Sequence, residues 1–281
     1  MSQLFIVATP IGNLSDISQR AIDTLKAVDC IAAEDTRHSA FLLQRYAINK
    51  PTISLHEHNE SERVNELISR LQAGQSIALI SDAGTPLISD PGYVLVRAVR
   101  ALGIQVIPIP GPCAFVAALS ASGLATDRFL FEGFLPAKST QRKKQLSLLK
   151  NETRTMIFYE APHRIISTLK DMLTIFGENR LAVIARELTK MHETITDGTL
   201  SALLHFVEND ANQERGEQVI IVSGNEENIP SEETLSTEHI LKILLSELPL
   251  KQAVDLTVKI SGDRKNEIYQ QALRLSSGAR E

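Results

Sequence analysis

Ser81-Asp82-Ala83-Gly84-Thr85-Pro86-Leu87-Ile88-Ser89-Asp90-Pro91-Gly92 closes the apolar run that begins at Ile77. A short apolar run bounded by glycine and proline reads as a buried strand. The loop behind it is rich in residues that turn tightly and let a backbone approach a ligand closely. Two more candidate strands end in the same way. Thr9-Pro10-Ile11-Gly12-Asn13-Leu14 follows Leu4–Ala8, and Pro108-Ile109-Pro110-Gly111-Pro112-Cys113-Ala114 closes Gln105–Ile109. Ligands of open α/β sheets bind outside the carboxyl ends of strands, so three such loops predict one cleft.

The other strands of this half are Cys30–Ala33 and Thr52–Leu55. Between the strands lie segments of helical period, such as Ile17, Ala21, Leu25 and Val28, or Val64, Leu67, Ile68 and Leu71. That alternation predicts a largely parallel sheet flanked by helices. Helix starts are expected at Ser15-Asp16, at Thr36 and at Asp90-Pro91. After a small-residue helix over Phe115–Leu124, a second set of strands is expected at Phe129–Phe134, Thr155–Tyr159, Leu181–Arg186, Glu193–Asp197 and Gln218–Val222. Helices are expected near 139–150, 163–176 and 199–208. Too little chain joins the strands at 181 and 193 for a crossover helix, so they should pair antiparallel. The fold class is α/β, with two α/β domains at 1–114 and 115–225. Residues 226–281 form a linker and a helical tail, with helices from about Glu238, from Pro249 and after the Ser261-Gly262-Asp263 turn.

Composition narrows the function. The 281 residues are 43% hydrophobic and 22% charged, which is ordinary for a globular chain of about two domains. A net charge of -5 argues against a generic polyanion binder, and 5% aromatics without tryptophan argues against base stacking across a sheet. Two cysteines, Cys30 and Cys113, build neither a disulfide framework nor a zinc module, so a reducing cytoplasm is expected. No signal peptide is expected of Met-Ser-Gln-Leu-Phe, and glycine and proline break the uncharged stretch 101–126 too often for a membrane span. The chain has no Walker lysine, no Gly-x-Ser-x-Gly elbow and no Gly-x-Gly-x-x-Gly after the first strand. His56-Glu57-His58 offers too few ligands for a metal, and none is expected. The tail has the outline of a helix-turn-helix module, but residues 231–281 carry seven Lys or Arg against eight Asp or Glu, so a packing appendage fits equally.

Ser-Asp-Ala-Gly-Thr-Pro-Leu-Ile-Ser-Asp-Pro-Gly at 81–92 together with Pro-Gly-Pro-Cys-Ala at 110–114 resembles the tetrapyrrole methylase superfamily. Within it, five blocks resemble the ribosomal RNA small subunit methyltransferase I family. They are Val7-Ala8-Thr9-Pro10-Ile11-Gly12-Asn13-Leu14, Ala33-Glu34-Asp35-Thr36-Arg37, Phe158-Tyr159-Glu160-Ala161-Pro162-His163-Arg164, Ala185-Arg186-Glu187-Leu188-Thr189-Lys190 and, less specifically, the tail. The resemblance implies two domains enclosing a cleft for S-adenosylmethionine and a homodimer. It implies methyl transfer to the ribose 2'-hydroxyl of a cytidine in the decoding region of small-subunit (16S) ribosomal RNA, either naked or within the 30S particle.

Carried onto this sequence, the cofactor-facing residues are Thr9, Pro10, Asp82, Gly84, Thr85, Pro112, Cys113, Ala114 and Tyr159. Cys113 stands where serine is common, and its thiol reads as an inert small group. A 2'-hydroxyl needs a proton acceptor or a cation beside the developing alkoxide. Glu34, Asp35, Glu160 and Glu187 are candidates for the first, and Arg37 and Arg186 for the second, although each also reads as an ordinary ion pair. Residues 128–154 hold seven Lys or Arg against Glu132 and Glu152. Lys138, Arg142, Lys143 and Lys144, with Arg164, are therefore expected to grip the RNA backbone. Two alternatives stay open: a methylase of a small tetrapyrrole, and a non-catalytic RNA-binding assembly factor.

Overall fold

The first sheet is fully parallel, in the order β3-β2-β4-β1-β5. Its strands are β1 (Gln3–Val7), β2 (Cys30–Ala33), β3 (Thr52–Ser54), β4 (Ile77–Ile80) and β5 (Gln105–Ile109). The structure, a computed structural model, describes residues 2–56, 59–225 and 237–277. Glu57 and His58 of the histidine motif fall outside the described residues. Strands β2 and β4 are buried at every position, as expected of parallel strands covered on both faces. Their side chains alternate between two cores. Ile31, Ala33, Ala78 and Ile80 pack with α1 (Gln19–Ala27) and α2 (Thr36–Arg45). Cys30, Ala32, Ile77 and Leu79 pack with α3 (Glu60–Gln72) and α4 (Tyr93–Ala101).

Helix α5 (Ala114–Ala121) leads into a second, mixed sheet in the order β6-β7-β10-β8-β9. Its strands are β6 (Phe129–Phe134), β7 (Thr155–Glu160), β8 (Leu181–Arg186), β9 (Thr194–Thr199) and β10 (Gln218–Val222). Only β6 and β7 pair in parallel, and β8 pairs antiparallel with β9, as the short connection predicts. One face is covered by α6 (Ser139–Leu148), α7 (Ile165–Phe176) and α8 (Leu200–Asn209). The opposite face packs on Ala118 and Leu119 of α5 and on Ile11 from the loop after β1. Both sheets belong to one unit, Met1–Gly224.

A second unit spans Asn225–Glu281. Its described helices, α9 (Thr237–Glu247), α10 (Leu250–Ser261) and α11 (Lys265–Ser277), close on Leu241, Ala253, Val254, Ile268 and Ala272. Gly262, at φ +75°, ends α10 in the left-handed conformation that favours glycine. Among the described residues, no helix is long and apolar enough to cross a membrane.

Helix starts differ from expectation by up to three residues. Ser18, not Ser15, caps α1 by accepting from the Ala21 N–H, because Leu14–Asp16 is a separate 3-10 turn. Asp35 caps α2 one residue before Thr36. The expected start at Asp90-Pro91 moves to Gly92, whose lack of a side chain is made good from elsewhere. The carboxylate of Glu60 on α3 accepts from the N–H groups of Gly92, Val94 and Leu95. An anion at a helix N-terminus satisfies orphan donors and complements the helix dipole.

Candidate functional site

The loops after β1, β4 and β5 are tied to one another at the carboxyl edge of the first sheet. Thr9 and Gly84 exchange backbone hydrogen bonds of 2.8 and 3.1 Å, and Thr85 Oγ1 donates to the Pro112 carbonyl at 2.9 Å. Gly84 sits at φ +86°, a conformation that a β-branched residue adopts only with strain. Leu87 and Ser89 hold left-handed φ values of 74° and 64° without being glycine, and so do Glu187 and Thr189, at 52° and 65°, in the loop after β8. Such conformations cost about 1–3 kcal/mol each and cluster at ligand sites.

Between these loops and the second sheet lies a cavity of about 370 Å³. Ile11, Ile88, Ala185, Leu188 and Val219 form its apolar floor, and Phe134 and Tyr159, 5.5 Å apart edge to face, stand at one side. Its charged lining is Glu34, Asp82, Asp90, Glu160 and Glu217, with no Lys or Arg among the described residues that line it. An anionic nucleotide finds no counter-charge there, whereas a ligand with a cationic centre does.

Glu34 and Asp82, at the ends of neighbouring strands, are locked to backbone. The Asp82 N–H donates to Glu34 Oε2 at 3.3 Å, and the Asp35 N–H donates to Asp82 Oδ1 at 3.0 Å. Burial pushes the Asp90 carboxyl up to about 7; a Ser81 hydrogen bond works against this, and the charges of Glu34 and Asp82 reinforce it. Burial likewise raises the Tyr159 hydroxyl, helped by nearby Cys113, and that hydroxyl accepts from the Phe115 N–H at 3.2 Å. Burial also raises the Cys113 thiol, so it stays protonated and inert at neutral pH.

Of the residues singled out in the sequence, Glu34, Asp82, Gly84, Thr85, Cys113, Ala114, Tyr159 and Glu160 line this cavity. Thr9, Pro10 and Pro112 do not. Thr9 and Pro10 are buried, and Thr9 and Pro112 brace the loops. Asp35 and Arg37 pair with each other at 3.2 Å, next to the backbone that holds Asp82. The Arg37 hydrogen bond is what lowers the Asp35 carboxyl. Glu160 is occupied by the Ala161 N–H, the Thr168 hydroxyl and the Arg164 guanidinium. Arg186 is buried and donates to Thr194 and to the His192 and Arg215 carbonyls. Glu187 accepts from Lys190 and from the Glu217 N–H; burial alone would raise its carboxyl, but these bonds outweigh it and lower it.

One expectation is corrected. Arg142 does not face solvent: it is 2% exposed, its Nε donates to Asp171 at 2.7 Å, and its other nitrogens reach Ser167 and the Pro136 and Ala137 carbonyls. Its spacing from Leu146 and Leu149 puts it on the core face of α6, so charge counting overstated the basic surface. Lys138 and Lys144 are exposed and Lys143 is half-exposed, with 3.4 Å to Asp171. Arg164 is mostly covered and donates to the Leu135 and Pro136 carbonyls. Asp90, in the loop after β4, also lines the cavity, although its sequence context marks only a helix start. Ala185 and Leu188 stand in a block quoted for its family resemblance, and only the cavity lining gives them a place in the site.

Comparison with known proteins adds to this geometry. The family Tetrapyrrole (Corrin/Porphyrin) Methylases matches residues 3–204, and the RsmI C-terminal HTH domain matches residues 231–276. The chain is 55% identical over 273 residues to ribosomal RNA small subunit methyltransferase I of Pseudomonas aeruginosa, covering 96% of each. It is 53% identical to the protein of that name from Haemophilus influenzae, covering 95% of each. Among solved structures, the methyltransferase CobJ superposes with a TM-score of 0.60 at 18% identity, covering 80% of this chain and 95% of that one. Uroporphyrin-III-C-methyltransferase from Thermus thermophilus does so at 0.54 and 16% identity, covering 79% and 94%. At these identities the structural likeness speaks for the fold alone.

Proposed function

Since the chain belongs to the ribosomal RNA small subunit methyltransferase I family within the tetrapyrrole methylases, we propose that its cavity binds S-adenosylmethionine and presents it to a ribose 2'-hydroxyl of a cytidine in the decoding region. The protein is an S-adenosylmethionine-dependent methyltransferase of small-subunit (16S) ribosomal RNA. The observation that carries the reading is the lining of the cavity, five carboxylates over an apolar floor with no Lys or Arg among the described lining residues, of which Glu160 and Glu217 are paired to Arg164 and Lys190 outside that lining. That donor set suits a ligand that joins an apolar ring to a sulfonium and an ammonium.

When bound, S-adenosylmethionine supplies an electrophilic methyl group. Asp82 and Glu34, fixed by backbone N–H groups, hold negative charge toward the cationic part of the ligand. Gly84, Thr85, Cys113 and Ala114 keep the wall low enough for close approach. Ile11, Leu188 and Val219 exclude water, and rigid positioning of this kind is the main requirement of an in-line displacement. Arg37, exposed beside Asp35, is suited to a phosphate of the incoming RNA. A tetrapyrrole rich in carboxylates fits this lining poorly, whereas an RNA needs to bring only an uncharged ribose to it. The reading extends to a homodimer acting in the cytoplasm on ribosomal RNA or on the 30S particle. The two free cysteines accord with a reducing compartment.

Mapping 2'-O-methyl marks in 16S ribosomal RNA tests the assignment. Cells lacking this protein are expected to lose one ribose mark, restored by the wild-type protein. If no mark disappears, the substrate assignment fails. Triple charge reversal at Lys138, Lys143 and Lys144 is expected to weaken RNA binding. It should also flatten the plot of log affinity against log salt by roughly 2 units, since each phosphate that a lysine neutralises contributes about 0.7–0.9 to the slope. An unchanged slope would remove α6 from the RNA interface.

A further inference from the structure

We propose that Asp90 is the catalytic base that takes the proton of the ribose 2'-hydroxyl, an inference that rests on the methyltransferase reading above. The cavity offers five carboxylates, and four are engaged. Glu34 and Asp82 accept backbone N–H groups, Glu160 is held by Ala161, Thr168 and Arg164, and Glu217 pairs with Lys190 at 2.8 Å. Among the described residues, Asp90 has neither a backbone donor nor a cationic partner, only the Ser81 hydroxyl. A carboxylate whose lone pairs are taken up by fixed donors is a weak proton acceptor, and Asp90 keeps its own available.

The fold holds Asp90 in place at a cost. Ser89, immediately before it, is left-handed at φ 64°, and Gly92, two residues on, sits at φ 123° where a Cβ would lie 2.6 Å from Leu79. Glu60 clamps the far end of the loop through three N–H groups. On the other side, Ser89 Oγ lies 3.1 Å from where a Cβ on Gly133 of β6 would stand, so the loop is wedged against the second sheet. Strain that the surroundings hold in place around one uncommitted carboxylate is a mark of function.

In the reaction, the 2' O–H bond breaks and its proton goes to an Asp90 carboxylate oxygen. The hydroxyl oxygen forms the new bond to the methyl carbon, and the methyl–sulfur bond breaks with its electron pair left on sulfur as a neutral thioether. Asp90 then returns the proton to water. The groups facing Asp90 are Ser81, Glu34 and Asp82 from the first sheet, with Cys113 and Tyr159 close enough to feel its charge. With its carboxyl at about 7, Asp90 is near half-ionised at neutral pH. A cationic ligand in the cavity shifts it toward the carboxylate, the form a base needs.

The test compares wild type, Asp90→Asn and Asp90→Glu in single-turnover methylation of the RNA substrate at saturating S-adenosylmethionine, with cofactor affinity measured by calorimetry. Wild type is expected to lose rate on the acid side, with a midpoint below the value of about 7 of the cofactor-free protein because the bound cation favours the carboxylate. Asp90→Asn should be roughly 100-fold slower and lack that acid limb, and Asp90→Glu should regain part of both. Thermal unfolding of the cofactor-free protein gives a second readout. The unfolded Asp90 carboxyl ionises near 3.8 and the folded one near 7, so the folded state binds the extra proton between these values and its stability falls across that window as pH rises. Asp90→Asn should therefore gain Tm over wild type progressively from pH 4 to 7 and keep that gain above 7. An Asp90→Asn protein with the wild-type rate and acid limb, or one impaired only in cofactor affinity, overturns the proposal. A wild-type protein that transfers no methyl group to RNA overturns the functional reading itself and the proposal with it.

Discussion

Asp171→Ala is expected to destabilise the protein by about 3–5 kcal/mol, because it leaves the Arg142 guanidinium buried without its counter-charge. Both side chains are almost fully covered, and Asp171 also accepts from Ser139. Urea denaturation checks this as a large fall in the midpoint, with loss centred on the second sheet. The companion variant separates the charge from the packing. Replacing the pair with Arg142→Met and Asp171→Leu removes both charges together, and buried pairs so replaced are often as stable as the original. Recovery in the double variant assigns the loss to the stranded charge, whereas equal instability assigns it to the hydrogen-bond network with Ser167 and the Pro136 and Ala137 carbonyls. It follows that reversing the charge of Arg142 tests folding rather than RNA binding, so the α6 experiment omits it.

Asp82→Asn is expected to weaken S-adenosylmethionine binding by roughly 10- to 150-fold, the equivalent of about 1.5–3 kcal/mol for a charged hydrogen-bonding group. Asparagine retains an oxygen for the Asp35 N–H, so the loop keeps its anchor and only the charge is lost. Calorimetry with S-adenosylmethionine and with neutral-sulfur S-adenosylhomocysteine distinguishes the causes. A larger loss for the sulfonium compound shows that Asp82 complements the sulfonium charge, and an equal loss for both shows that it acts on a part the two compounds share, the ammonium or the ribose, or through loop geometry. The same substitution removes one of the charges that raise Asp90. The acid limb of the reaction should then move to lower pH, since the carboxylate form of Asp90 becomes easier to reach.

Among the described residues, the alternation of apolar runs and helical periods places nine of the ten strands to within one residue at either end; β9 is the exception, one residue late at its start and two at its end. This worked because parallel strands covered on both faces are apolar throughout, as Cys30–Ala33 and Ile77–Ile80 are. The glycine and proline loops likewise marked the cavity, since Gly84 and Gly92 answer to positive φ that the local chain demands. Side-chain roles were less legible. The spacing from Leu146 and Leu149 places Arg142, unlike the exposed Lys144, on the core face of α6, but only the packing of α7 against α6 supplies Asp171 as a partner. Arg186 and Glu160, which the sequence offers equally as catalytic groups or as ordinary ion-pair partners, are held by neighbours from other elements.

The two-sheet α/β class, the strand ends at which the ligand loops lie and, through the motifs, the methyltransferase family are legible along the chain. These rest on local periodicity, turn chemistry and residue identity, all written along the chain. Which carboxylates are engaged by fixed donors, and that Asp90 is not, follows only from the assembled fold. Asp90 is surrounded by Ser81, Glu34 and Asp82 only after β2 and β4 align side by side. Its burial, the main cause of its raised carboxyl, is a property of the assembled cavity and not of the segment that contains it.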